Sequence, residues 1–230
     1  MNTRWPPPNV VIGGGLYGCM IALSLAARGE RVTLIERRRA LLQHASYNNQ
    51  ARVHGGYHYP RNRLTGRRSR VNIARFEREF GMAVQRPAHS LYAIARHGSK
   101  VTPRQFEEFC ADIGTPLYQA TADEKALFDG HLVAAVYQVE EPVFNAAGLR
   151  DTLDRRLATS PVELRLGVEA VSCRPEDDAV ALRLLDTRTG DGSEIRARRV
   201  FNCTYSGLGG LTVHGAPLKT RLKHEITEMA

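Results

Sequence analysis

An α/β fold is predicted from three features of the chain. First, Val10-Val11-Ile12 is a short apolar strand, and Gly13, Gly15 and Gly18 follow it in a Gly-x-Gly-x-x-Gly turn. Second, Ala22, Leu25 and Ala26 recur at helical spacing, Val32 to Ile35 form another apolar run, and Glu36 closes it, 18 residues beyond Gly18. Third, 162–171, 179–185 and 195–203 are three β-rich segments in series. The first two features are the parts of a Rossmann-like βαβ unit in the order a dinucleotide needs. The third reads as a three-stranded antiparallel insert, with Asp191-Gly192 as the turn between its last two strands.

The elements follow in order. Residues 9–36 form the opening βαβ. Residues 37–66 are rich in Arg, Asn, Gly, His and Tyr and lack periodicity, so a long irregular connection is expected, of the kind that usually carries function. Ile73, Phe76 and Phe80 recur at helical spacing within 67–80, and Gly81 ends that helix. Residues 90–95 read as a strand. Thr102 and Pro103 open a helix that runs to Ile113, with Thr102 as N-cap and Pro103 in the first helical position. A short helix over 121–127 and a strand over 133–139 come next. Leu149, Leu153 and Leu157 share one face of a helix over 146–157. After the insert, Asn202 to Gly207 forms a closing turn, and the alternation from Leu218 onward predicts a further strand.

Composition excludes several classes. At 230 residues the chain is long enough for one large or two small domains. No apolar run approaches membrane-spanning length, so no integral membrane segment is expected. The opening Met-Asn-Thr-Arg-Trp-Pro-Pro-Pro has no apolar stretch, so no secretory signal is expected either. Cys19, Cys110, Cys173 and Cys203 have no paired spacing; no disulfide framework or metal site is expected, and reduced thiols point to a cytoplasmic location. The net charge of +8 is spread along the chain apart from Arg37-Arg38-Arg39 and the region 61–70. It reads as solvated surface or as attraction for an anionic cofactor or substrate; without a recognisable module, no nucleic-acid partner is expected.

The dinucleotide turn assigns roles to particular residues. Gly13 permits the tight turn, Gly14 continues it, Gly15 lets a pyrophosphate approach the backbone, and Gly18 lets the helix lie close on the sheet. The helix N-terminus offers N–H groups and partial positive charge to phosphate. Glu36 would accept ribose hydroxyls. Arg37 reads either as an adenosine neighbour or as a solvated arginine. On these residues alone, NAD(P) remains an alternative cofactor.

Three stretches resemble the FAD-dependent oxidoreductases of the D-amino-acid oxidase superfamily, which includes glycerol-3-phosphate dehydrogenase and L-2-hydroxyglutarate oxidase. Ile12 to Glu36, with Ala22 and Gly29, follows the superfamily's FAD pattern. Ser46 to Tyr59 resembles its Ser/Asn-rich run into His-Gly-Gly, and Arg199 to Gly207 resembles the strand-to-turn segment that reads Val-Val-Asn-Ala-Ala-Gly in relatives. The resemblance implies FAD as cofactor and a Rossmann-like FAD-binding domain with an antiparallel β insert and part of a smaller α+β substrate domain. It divides the chain into an FAD-binding segment over 1–86, a substrate-domain segment over 87–142, a second FAD-binding segment over 143–217 and the start of another substrate-domain segment over 218–230. It implies flavin contacts for Ser46, Asn48, Asn49, Gly55 and Gly56, and adenine contact near Val168 to Val171, with Val171 the residue assigned. Asn and Ser also simply satisfy loops.

His54 precedes the two glycines. It reads either as a structural histidine or as a flavin neighbour serving as base for a hydroxylated substrate. His58, Arg61, Tyr92 and Tyr137 are weaker candidates for a pocket lining. The implied activity is oxidation of a C–N or C–OH bond of a small amino- or hydroxy-acid-like substrate. Superfamily members are longer, and Cys203-Thr204-Tyr205 departs from their pattern. A truncated, non-catalytic or split protein that needs a partner chain or self-association is therefore the second expectation.

Overall fold

The computed structural model describes residues 6–87 and 89–216. The chain divides into two compact units: one runs through Gln50 and resumes at Arg150, and the other is Ala51–Leu149.

The first unit opens with β1 (Asn9–Ile12), α1 (Leu16–Ala26) and β2 (Val32–Glu36). Every residue of β1 is buried, which is why Val10-Val11-Ile12 run on without polar alternation, and the buried Asn9 donates to Glu30. The second unit contains α2 (Arg63–Phe80), β3 (Val84–Gln85), β4 (Leu91–Ala95), α3 (Pro103–Ile113), β5 (Leu117–Gln119), α4 (Ala122–Ala126), β6 (Val133–Val139) and β7 (Val143–Phe144). The division falls within α5 (Ala146–Ala158). The first unit then resumes with β8 (Val162–Leu166), β9 (Val168–Pro175), β10 (Val180–Asp186), β11 (Gly192–Ala197), β12 (Arg199–Asn202) and β13 (Thr212–Val213).

In the first unit the parallel sheet has the order β12-β1-β2-β8. A second sheet, β11-β10-β9-β13, is antiparallel except that β13 runs parallel to β9. Val10, Ile12 and Ile35 of the parallel sheet pack with Leu182, Leu184 and Ala197 of the other to form the core.

Two expected strands are each two strands. Gly167 sits at φ +71°, a left-handed conformation that suits glycine, and it breaks 162–171 into β8 and β9. The break lets β8 stay in the parallel sheet while β9 begins the antiparallel one. The segment 195–203 divides likewise at Arg198, whose N–H is held by the Pro8 carbonyl, and β12 returns to the parallel sheet. The insert is therefore β9, β10 and β11. Its hairpin turn lies at 187–190 rather than at Asp191-Gly192: the Asp186 carboxylate accepts the Arg188 and Thr189 N–H groups at 2.8 and 2.9 Å, and Gly192 already belongs to β11.

In the second unit, β4-β6-β5 is an antiparallel sheet backed by α3. Phe106, Phe109, Cys110 and Ile113 of α3 pack with Ile94, Tyr137 and Val139. The Thr102/Gln105 capping box starts α3, and Gly114 at φ +68° ends it. The helix expected over 67–80 starts a turn earlier, at Arg63, because Asn62 Oδ1 accepts the Thr65 N–H. It also belongs to this unit and not to the dinucleotide unit. It packs closely there: a Cβ on Gly66 would lie 2.6 Å from Phe109 Cζ, so glycine lets α2 approach α3 without displacing that ring. The strand expected from Leu218 lies outside the described residues. No described helix is long and apolar enough to cross a membrane.

Glu124 of α4 ties this unit together. Gln138 Nε2 donates to both carboxylate oxygens at 2.7 and 2.8 Å, Thr121 N–H donates to one, and His89 Nδ1 lies 2.9 Å away. The Gln138 amide, then the Thr121 N–H, hold its pKa at about 2, against an ordinary 4.5. A depressed carboxyl pKa adds stability above the unfolded value, and that stability is lost as pH falls through the folded value. The thermal midpoint of the wild type should therefore drop between pH 4.5 and about pH 2. Glu124→Gln should start lower and change less across that window. Parallel melting curves for the two proteins would refute this.

Candidate functional site

The C-terminal edges of β2, β1 and β12 end at one cavity of about 400 Å³. Ligand sites in open α/β sheets fall at such edges, in cavities of roughly 300–1,000 Å³. Its wall includes Gly13 and Gly15 after β1, Glu36 and Arg37 after β2, Ser46 from the irregular connection, and Val168 to Ala170 from β9.

The turn is shaped by what a side chain would strike. Gly13 sits at φ +108°, and a Cβ there would lie 2.7 Å from the Cys203 carbonyl oxygen. A Cβ on Gly18 would lie 1.8 Å from the Gly13 carbonyl oxygen, so Gly18 acts by letting α1 close on the turn and is not itself on the cavity wall. Gly14 also points elsewhere; its Cβ would meet Leu41 Cδ2 at 2.7 Å, and its N–H donates to Glu36 Oε2 at 2.6 Å. Gly15 is the N-cap of α1 and faces the cavity. Ser46 Oγ accepts the Leu16 N–H at 3.1 Å, at the helix N-terminus where an anion is favoured.

Glu36 is anchored twice. Besides Gly14, its other oxygen accepts the Arg38 N–H at 2.8 Å. A carboxylate has about four lone-pair sites, so two hydroxyls can still be accepted. Arg37 lies 3.9 Å from Glu169 and donates toward His44 Nε2 at 3.1 Å. Asn48 and Asn49 are not on the cavity wall. Asn49 Nδ2 donates to the Ala45 carbonyl, which bends the loop that presents Ser46. Val171 is off the wall as well: the chain meets the cavity at Val168 to Ala170, while the Val171 carbonyl accepts from Thr212 Oγ1.

Sequence reasoning missed Leu42, His44 and Tyr17 on this wall. Leu42 is fully buried at φ +57°, and its N–H donates to the Gly14 carbonyl. The adjacent pair Leu41-Leu42 inside a polar stretch was the available signal. Nothing in the sequence marks Tyr17.

His54, Gly55 and Gly56 lie in the second unit. Here the loop 51–55 runs beside 141–144: Val53 N–H donates to the Pro142 carbonyl and Phe144 N–H to the Ala51 carbonyl. That places Glu141, which is 5% exposed, at the centre of the loop. Its Oε1 accepts the Gly55 N–H at 3.0 Å and lies 3.5 Å from His54 Nδ1, at ion-pair range but outside hydrogen-bond geometry. Arg52 Nη1 is 3.3 Å from Oε2. Burial pushes the Glu141 carboxyl up, but His54, the Gly55 N–H and Arg52 together hold it below the ordinary range.

His54 stacks on His58 at 5.5 Å. Burial, then His54 and Arg52, lower the His58 pKa and favour its neutral form. Tyr92 Oη is 3.3 Å from His58 Nδ1. Tyr137 packs in the core, 1% exposed, with its hydroxyl donating to Glu107. The two glycines serve packing within the unit: a Cβ on Gly55 would meet Tyr57 at 2.8 Å, and one on Gly56, at φ +101°, would meet the Gly66 carbonyl at 2.8 Å. Arg61 is exposed. Sequence reasoning missed Glu141 altogether.

Residues 9–228 match the family described as FAD dependent oxidoreductase, DAO. The FAD-dependent monooxygenase FPY4 of Fusarium mangiferae is 31% identical over 172 residues, which is 75% of this chain and 45% of that protein. Among solved structures, the L-proline dehydrogenase of P. horikoshii superposes with a TM-score of 0.65 at 21% identity, over 86% of this chain and 53% of that one. NikD, described as an unusual amino acid oxidase essential for nikkomycin biosynthesis, superposes in its open form with a TM-score of 0.66 at 17% identity, over 89% and 54%. The chain thus spans about half the length of the relatives it matches.

Proposed function

The chain belongs to the FAD-dependent oxidoreductase family, and from that premise we propose that it serves in the oxidation of a C–N or C–OH bond of a small amino- or hydroxy-acid-like substrate. FAD is the cofactor of this family, which removes NAD(P) as the alternative. The cavity suits it: glycines stand where any Cβ would fill the turn, a helix N-terminus faces the wall, and an anchored carboxylate lies at the far strand end. Gly13, Gly15 and the first turn of α1 would hold the pyrophosphate, and Glu36 the adenosine ribose. The backbone of Val168 to Ala170 would flank the adenine. Bound FAD supplies a two-electron acceptor for the hydride of the substrate carbon.

The observation that carries the oxidase reading is the pairing of His54 with buried Glu141. An imidazole whose Nδ1 faces a carboxylate can take the substrate hydroxyl proton at Nε2, and the carboxylate offsets the positive charge that forms. An amine substrate needs only its neutral form. The four cysteines form no disulfide and three are buried, which supports a reducing compartment.

The protein, desalted after purification, should show a flavin absorbance spectrum. Anaerobic mixing with amino or hydroxy acids should bleach it. In His54→Ala the bleaching rate with a hydroxy acid should fall by about 10²–10⁴-fold, while FAD stays bound. Absence of flavin absorbance would overturn the reading. A second reading, monooxygenation, is favoured by the name of the Fusarium relative. It requires an external reductant, so bleaching that occurs only with a reduced nicotinamide would select it.

A further inference from the structure

Two large aromatic side chains stand in the open on the wall of the dinucleotide cavity. Tyr17 is 81% exposed and Tyr205 is 78% exposed, and both line that one cavity. Neither ring stacks on another ring among the described residues. Tyr205 also sits at φ +53°, a conformation that a bulky side chain rarely adopts and that costs backbone energy. Glycine would occupy it without strain, and this segment is rich in glycine, with Gly207, Gly209 and Gly210 following at once. An exposed ring held at a strained position gives the protein no stability of its own. A ligand that covers the ring would give it one.

The sheet order says which part of the ligand that is. Glu36 ends β2, the glycine turn follows β1, and Tyr205 follows β12. The order across the sheet is β12-β1-β2, so a dinucleotide with its ribose at Glu36 and its pyrophosphate over the β1 turn extends past β1 toward β12. Tyr205 stands on the β12 side, and Tyr17, in the first turn of α1 beyond the glycine turn, lines the same cavity.

We propose that Tyr17 and Tyr205 form an aromatic clamp that stacks on the isoalloxazine end of bound FAD. The inference rests on the FAD-binding reading and adds positioning residues to it. Flat heterocycles gain from offset stacking on aromatic side chains. A tyrosine in van der Waals contact with an isoalloxazine also quenches its fluorescence, by donating an electron to the excited ring and recovering it afterwards, so no net redox change results.

The test uses the purified FAD-loaded protein, with emission normalised to bound flavin by its visible absorbance. Tyr205→Gly and Tyr17→Leu should each brighten the bound flavin several-fold. Each should weaken FAD affinity on the order of tenfold. Tyr205→Trp, which keeps an electron-rich ring, should stay dim. Glycine relieves the strain at this position, so Tyr205→Gly should also melt no lower than the wild type without FAD, which excludes misfolding as the cause. Unchanged emission in both loss variants, with flavin still bound, would overturn the clamp and leave the FAD reading intact. A change of oligomeric state without a change in emission would overturn it too, by assigning the two rings to a contact between copies of the chain. Wild type that holds no flavin would instead overturn both.

Discussion

Gly18→Ala is expected to destabilise the dinucleotide unit by about 3 kcal/mol or more and to abolish FAD retention. The added methyl would stand 1.8 Å from the Gly13 carbonyl oxygen, roughly half a normal contact distance. That oxygen belongs to backbone, so no rotamer change can relieve the clash. Either α1 moves off the sheet or the turn opens, and both disturb the wall formed by Gly13 and Gly15. Overpacking of this kind ordinarily costs 1–3 kcal/mol, and a rigid carbonyl puts Gly18 at or above the upper end. Urea unfolding with flavin absorbance after desalting would measure both effects. A loss below about 0.5 kcal/mol, the usual range of a neutral surface change, would show that the helix does not approach the strand this closely.

Glu141→Ala should act with comparable size on the other unit. Removing one partner of a buried ion pair costs about 3–5 kcal/mol. Here Arg52 is 28% exposed, so solvent recovers part of that loss and about 3 kcal/mol is expected. The Gly55 N–H loses its acceptor at the same time. The loop carrying His54 should loosen, seen as faster amide hydrogen exchange at residues 52–56. Glu141→Gln keeps an acceptor for Gly55 and should recover part of the stability. The pH dependence has a fixed sign. A carboxyl held below its ordinary pKa stabilises the folded state above that value and loses the contribution as pH falls through the folded one. The wild type and Glu141→Ala should therefore converge in stability under acid conditions. A constant difference at every pH would mean that Glu141 acts by packing alone.

How much was legible before the structure differs from element to element. The opening βαβ was fully legible, because a buried strand, a glycine turn and a buried helix face are local patterns that the order and spacing of residues write out. The Thr102-Pro103 helix start was legible for the same reason: cap and proline are adjacent, and the structure adds Gln105 to complete the capping box. The insert was legible as β structure but not in its divisions. Residues 162–175 are uniformly strand-forming around one glycine, and only pairing partners tell that Gly167 hands the chain from a parallel to an antiparallel sheet. The early start of α2 at Asn62 rested on one side-chain cap inside an apparently irregular stretch.

The candidate site shows the same limit. Gly13, Gly15, Glu36, Arg37 and Ser46 were found from the sequence and meet on one cavity wall. Gly14, Gly18, Asn48, Asn49 and Val171 support or border it without facing it, because direction of a side chain or carbonyl is set by turn geometry and pleat, not by residue type. Glu141 follows Glu140, and nothing in that pair says which one is buried. The Val53 to Pro142 pairing turns Glu141 inward beneath the 51–55 loop, while Glu140 accepts the Tyr118 hydroxyl at the surface.

By itself, then, the sequence determined the dinucleotide-binding half-fold and the residue types at its turn, because these depend on short-range sterics and hydrophobic periodicity. The tertiary structure alone decided where strands change sheets, which glycines face the cavity and which acid sits beside His54. Each of these is settled by segments tens of residues apart competing for the same space and the same hydrogen bonds, and no local pattern records that competition.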